Sequence, residues 1–154
     1  MSARVMHMLS GFAPEIEVYS IDEAFLKFDN CPYVDFEQYG HYIRKKVQQW
    51  TGIPISIGFA PTKALSKVAT KVAKKFVDRT GGVYLIDNEY KRIKALKWLK
   101  IEDVWGIGRQ HTARLKNMGI HKAHAFTLLS EEWVKKYMTI VGLRLHKDLS
   151  LIHI

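Results

Sequence analysis

Glu17-Val18-Tyr19-Ser20-Ile21-Asp22-Glu23-Ala24-Phe25-Leu26-Lys27-Phe28 is the stretch around which the chain is organised. β-Branched and aromatic residues dominate both arms, so each arm reads as a strand, with Asp22 and Glu23 between them. Successive side chains of a strand point to opposite faces, so adjacent carboxylates converge on one point only where the chain turns. Two hard oxygen ligands held close together suit Mg²⁺, which leaves its remaining positions to water and phosphate. A solvated acidic turn is the plainer reading of an isolated Asp-Glu pair. The apolar arms favour a packed sheet beneath this one.

The chain has 154 residues, 47% of them apolar, enough for one ordinary domain or one domain with a small appendage. No stretch approaches the apolar length of a membrane span, and the N-terminus lacks the charged-then-apolar pattern of a signal peptide. Cys31 is the single cysteine, which forbids an internal disulfide and makes no zinc site alone. The expected location is cytoplasmic. The net charge is +9 and it is concentrated: Pro61 to Lys100 holds eleven Lys or Arg against three acids. A basic block beside an acidic pair points to a polyanion bound next to a metal. A solvated helical surface is the bland alternative.

Around the hairpin, apolar spacing predicts a helix from Ser2 to Gly11 and a longer one from Asp35 to Trp50, with a turn at Asn30, Cys31 and Pro32 between hairpin and helix. Ile53 to Ala60 reads as a third strand and Val83 to Ile86 as a fourth. From Pro61 to Lys75 the spacing is helical again, and Lys63, Lys67, Lys71 and Lys74 fall within about a quarter-turn. Leu65, Val68, Val72 and Phe76 lie opposite. Like charges on one stripe without an i,i+4 carboxylate repel, so the stripe suits contact with a polyanion. Asp87 is placed to cap a basic helix over 91–100, and everything beyond is helical: 112–118, 123–129 and 131–138.

Val104-Trp105-Gly106-Ile107-Gly108, followed by Leu115 and Gly119-Ile120, has the spacing of a helix-hairpin-helix. Two glycines around an apolar residue permit a tight turn with positive φ. The N–H groups at the start of the next helix can then approach a backbone phosphate, a contact that holds DNA without reading sequence. Ile107 would plug the space between the helices, and Arg109, Arg114 and Lys116 add positive charge. An ordinary corner between two helices remains the alternative.

Ser20-Ile21-Asp22-Glu23-Ala24-Phe25, then Ser56-Ile57-Gly58-Phe59-Ala60-Pro61-Thr62-Lys63, then Asp103-Val104-Trp105-Gly106-Ile107-Gly108 occur in the order found in Y-family (translesion) DNA polymerases. The last motif resembles the UmuC branch in particular, and the resemblance runs from Met1 to about Leu149. It implies an α+β fold: a partial, ferredoxin-like palm of about four strands with helices on one face over residues 1–86. An all-helical thumb over 87–149 would carry the helix-hairpin-helix at about 102–120, and 150–154 would be a tail outside the pattern.

The resemblance further implies template-directed nucleotidyl transfer in SOS lesion bypass, with two Mg²⁺ ions. Asp22 and Glu23 would be catalytic metal ligands and Lys74 the contact to the incoming triphosphate. Lys63, Lys67, Lys71, Gly106, Ile107, Gly108 and Arg109 would meet DNA. The implied partners are primer–template DNA, dNTP, a UmuD-type accessory subunit, a sliding clamp and a recombinase filament, and the implied location is the bacterial cytoplasm. The family's first strand, which bears another metal-bridging Asp, its fingers and its C-terminal little finger have no counterpart in this chain. No acid precedes Glu15. The expectation is therefore weak duplex binding without polymerisation. The competing readings are a non-catalytic binder of the DNA backbone, using the glycine turn and lysine stripe, and a protein-interaction module with an incidental basic face.

Overall fold

A computed structural model describes residues 2–28 and 35–150. The turn expected at Asn30, Cys31 and Pro32, and all but Ser150 of the expected tail, lie outside these residues. The elements run α1 (Ser2–Ser10), β1 (Glu15–Ser20), β2 (Glu23–Lys27), α2 (Phe36–Thr51), β3 (Ile57–Phe59), α3 (Lys63–Lys75), α4 (Val77–Thr80), β4 (Val83–Leu85) and α5 (Glu89–Trp98). A single 3-10 turn at Ile101–Asp103 then leads to α6 (Arg109–Asn117), α7 (Ala123–Thr127) and α8 (Glu131–Ser150).

Local chemistry sets the ends. The Asp35 side chain accepts the Gln38 N–H and starts α2, and Gly52 ends it at φ 75°. Thr62 caps α3 by accepting the Leu65 N–H. Asn88 caps α5 where Asp87 was expected. Helix α8 runs twelve residues past the expected end and breaks at Thr139, whose φ of 65° divides it into two helical segments. Helix α4 has no counterpart in the sequence reading.

The four expected strands are present, but not as one sheet. β1 and β2 form an antiparallel pair, β3 and β4 a parallel pair, and no ladder joins β2 to β3. A cleft of about 190 Å³ separates them, lined by Ala24 to Leu26 on one bank and Ile55 to Phe59 on the other. Nor do helices cover only one face. Gly58 lies against α3: a Cβ there would sit 2.3 Å from the Thr70 nitrogen. Its neighbours on the pleat turn the other way, Phe59 towards Gly40 of α2 and Ile57 into the α1–α2 cluster. The reason is the glycine, whose missing side chain lets α3 pack on the face that would otherwise stay open.

Two apolar clusters hold the molecule. The smaller joins α1 to α2 through Val5, Ile43 and Val47, with Met8, Leu9 and Ile55 packed around them. The larger runs from Leu65, Val68 and Val72 of α3 through Ile86, Leu96, Ile101 and Ile107 to Leu115, Phe126 and Leu149. It is tied by polar bonds as well: Thr62 donates to the Asp148 carbonyl at 2.9 Å and Arg92 to the Leu149 carbonyl at 3.0 Å. The apolar side chains named from the larger cluster are all buried, and burying one Leu or Ile is worth about 1.5–3 kcal/mol.

Candidate functional site

The hairpin sorts its side chains by register. Glu17 lies opposite Phe25 and Glu15 opposite Lys27, so these four share a face with Tyr19 and Glu23. Ile16, Val18, Ala24 and Leu26 take the other face. Between Val18 and Ser20 the register slips by one residue, a bulge that sets Ser20 opposite Glu23. Bulges of this kind re-aim side chains beside functional sites. Ile21 and Asp22 make the turn.

The two carboxylates do converge. The Ser20 hydroxyl donates to Asp22 Oδ1 at 3.0 Å and lies 3.4 Å from Glu23 Oε2. Ser20 belongs to the quoted motif, but its role as the link between the acids was missed. The signal was its place at the end of the first arm, two residues before Asp22. Asp22 is exposed and Glu23 half-exposed at the mouth of the cleft between the sheets.

The lysine stripe of α3 divides. Lys63 is ion-paired with Glu17 and stands over the Phe25 ring, 5.4 Å from its centre. Lys67 is ion-paired with Glu23, stands over Tyr19 and is the more buried of the two. Lys71 and Lys74 have no ion pair among the described residues, and Lys74 is exposed. The stripe therefore has carboxylate partners after all, supplied by the hairpin. Half of it faces the acids and half is open.

The glycine turn reaches the same place. Trp105 packs on Tyr19 and Phe25, with ring centres 5.6 and 5.7 Å apart, and its indole N–H donates to the Tyr19 hydroxyl at 3.0 Å. Of the two expected positive-φ glycines only Gly106 qualifies, at 95°. Gly108 has φ −85° and ψ 179°, the extended geometry of an N-cap, and begins α6 with Arg109 exposed beside it. A Cβ at Gly108 would meet nothing within 4 Å, so its outer side is open. Ile107 is buried in the large cluster. Arg114 donates to the Tyr137 carbonyl and Lys116 to Glu102, whose carboxyl is held below the ordinary range chiefly by that hydrogen bond.

Among the described residues no group of three His, Cys, Asp or Glu side chains converges on a metal position. Asp22 and Glu23 are the oxygen donors on offer. A pair of carboxylates fits Mg²⁺ that takes its other ligands from phosphate and water.

Residues 1–71 match the impB/mucB/samB family. Protein SamB of Salmonella typhimurium is 36% identical over 155 residues, and Protein UmuC of Salmonella typhimurium strain LT2 is 36% identical over 152. Each alignment takes in 97% of this chain. A Y-family DNA polymerase chimera of Dbh and Dpo4 superposes with a TM-score of 0.73 at 26% identity, over 99% of this chain and 44% of that one. The chain is similar to UmuC and to Y-family polymerases. This UmuC-like chain spans 36% of the length of SamB and of UmuC. Its mixed α/β architecture with small sheets is the one shared with the polymerase chimera. No helix among the described residues is long and apolar enough to cross a membrane.

Proposed function

We propose that this chain is part of an error-prone translesion DNA polymerase, one that performs template-directed nucleotidyl transfer with two divalent ions. The observation that carries this reading is the convergence of Asp22 and Glu23 on one hydroxyl, opposite a lysine-bearing helix and beside a glycine turn. When bound, Mg²⁺ activates the attacking hydroxyl and stabilises the departing diphosphate.

Asp22 and Glu23 concentrate negative charge where the ion and the triphosphate meet. Lys74, open on the same helix, takes the triphosphate, and Lys71 adds to the positive field along it. Lys63 and Lys67 are held by Glu17 and Glu23, so they reach a phosphate only when those pairs open. The turn of Gly106, Ile107, Gly108 and Arg109 serves as a helix-hairpin-helix, with Gly108 presenting unshielded backbone to a DNA phosphate. The cleft between β2 and β3 suits one further strand, of the kind that carries the additional metal-bridging Asp in the family. UmuD-type, clamp and recombinase partners follow from the family resemblance alone.

With two carboxylates converging among the described residues, this stretch binds primer–template DNA but does not by itself extend a primer. Asp22→Ala with Glu23→Ala tests the assignment by fluorescence anisotropy. The proposal expects duplex binding that is kept or strengthened, and loss of any tightening by dNTP with Mg²⁺. Unchanged Mg²⁺·dNTP dependence in the double variant removes the two acids from the site. A non-catalytic backbone binder, the second reading, is favoured by the convergence of no more than two carboxylates among the described residues and predicts no nucleotide dependence in either protein.

A further inference from the structure

The parallel pair β3–β4 has a second open edge, far side from the cleft. Ile57 N–H bonds the Gly82 carbonyl at 2.9 Å, and Ile86 N–H bonds the Phe59 carbonyl at 2.8 Å. With Gly58 opposite Tyr84, these bonds turn the main chain of residues 82, 84 and 86 towards β3. The N–H and C=O groups of Val83 and Leu85 therefore point outward, and among the described residues no strand pairs with them. Unpaired edge groups of this kind are a template for another strand.

This edge forms the base of a groove of about 360 Å³. One wall is α2, represented by Glu37; the other is α3 and α5. Phe76 and Trp98, with ring centres 5.3 Å apart, line an apolar socket beside the strand. Arg79, Lys91 and Lys94 rim it against the single acid Glu37. Lys91 is shared with Asp87 at 3.6 Å, while Arg79 and Lys94 have no ion pair among the described residues. The groove has no residue in common with the cleft at Asp22 and Glu23.

We propose that this groove binds an extended acidic segment of a partner protein, which adds as a strand along Val83–Leu85 and places one large apolar side chain between Phe76 and Trp98. Main-chain pairing supplies affinity in this mode and the pockets supply specificity. Three cations against one acid select a segment rich in Asp and Glu. The open ladder groups distinguish a polypeptide from a nucleic acid, which has no backbone to continue a sheet.

The probe is a blocked peptide, Glu-Asp-Phe-Asp-Val-Glu, titrated into the ¹⁵N-labelled chain. The expected result is a saturable shift of the Val83 and Leu85 amides and the Trp98 indole. Affinity falls about tenfold or more in Arg79→Glu with Lys94→Glu, and by a similar factor when alternate peptide nitrogens are methylated. Both substituted residues are exposed, and the unperturbed spectrum of the variant verifies its fold. Equal binding of the methylated peptide, or of a peptide with Lys for every acid, overturns the proposal. So does a thymidine oligomer that shifts these three signals when the peptide does not. The outcome is independent of the polymerase reading, because neither substitution touches the Asp22–Glu23 site.

Discussion

The Trp105 indole donates to the Tyr19 hydroxyl at 3.0 Å across 86 residues of sequence, and so fastens the glycine turn to the hairpin that carries Asp22 and Glu23. The three motifs of the chain meet through this bond and the ring contacts around it. Tyr19 is about half exposed, so the bond itself is weak: Tyr19→Phe costs about 0.5 kcal/mol. Trp105→Ala also removes two aromatic contacts and costs about 2 kcal/mol, below the value for a fully buried Trp. Urea unfolding of the two variants checks the difference.

Gly106 and Gly108 separate fold from function. Gly106→Ala forces a side chain onto φ 95° and costs about 1–2 kcal/mol. Gly108→Ala meets open space at ordinary φ, and its stability stays within about 0.5 kcal/mol of the parent. If Gly108 lies against a DNA phosphate, that same alanine still lowers duplex affinity. Anisotropy beside urea unfolding reads both numbers from one pair of variants.

Lys67 is ion-paired with Glu23, so on the proposed reading it competes there with a cation. An ion pair with this much exposure is worth about 1 kcal/mol at most. Lys67→Met therefore raises Mn²⁺ or Mg²⁺ affinity at Asp22 and Glu23 by up to about fivefold. Titration of bound Mn²⁺ by electron paramagnetic resonance gives the ratio, and a weaker site in the variant contradicts the competition.

His124 makes the helical half acid-sensitive. Burial first, and then Lys97 and Arg92, hold its pKa below the ordinary 6.5. The unfolded chain binds the proton more readily than the folded one. Stability thus falls as pH drops below about 6.5 and levels off beneath the folded pKa. His124→Asn flattens this part of the profile. Urea midpoints at about pH 7.5 and about pH 5.5 measure it, the parent losing more than the variant.

The hairpin was legible because its information is local: alternating β-formers on both arms and two acids at the turn. The capped ends of α2 and α3 were legible to within a residue or two for the same reason. How the strands divide was not. Whether β2 pairs with β3 depends on residues thirty positions apart, and alternation within a strand says nothing of its neighbour. The stripe of Lys63, Lys67, Lys71 and Lys74 looked unpartnered because its acids, Glu17 and Glu23, lie more than forty residues earlier. Thr139 gave no glycine or proline to mark the break in α8. Gly58 was quoted as part of a motif, but its structural role became visible only with α3 packed against it.

The direct test of the central claim is duplex affinity against salt, measured by anisotropy on a primer–template with and without Mg²⁺ and dNTP. Contacts from Lys71, Lys74 and the Gly108–Arg109 turn predict a slope of log K against log salt of about −3, and a further tightening when Mg²⁺ and dNTP are both present. A slope near zero, or no binding, contradicts the account.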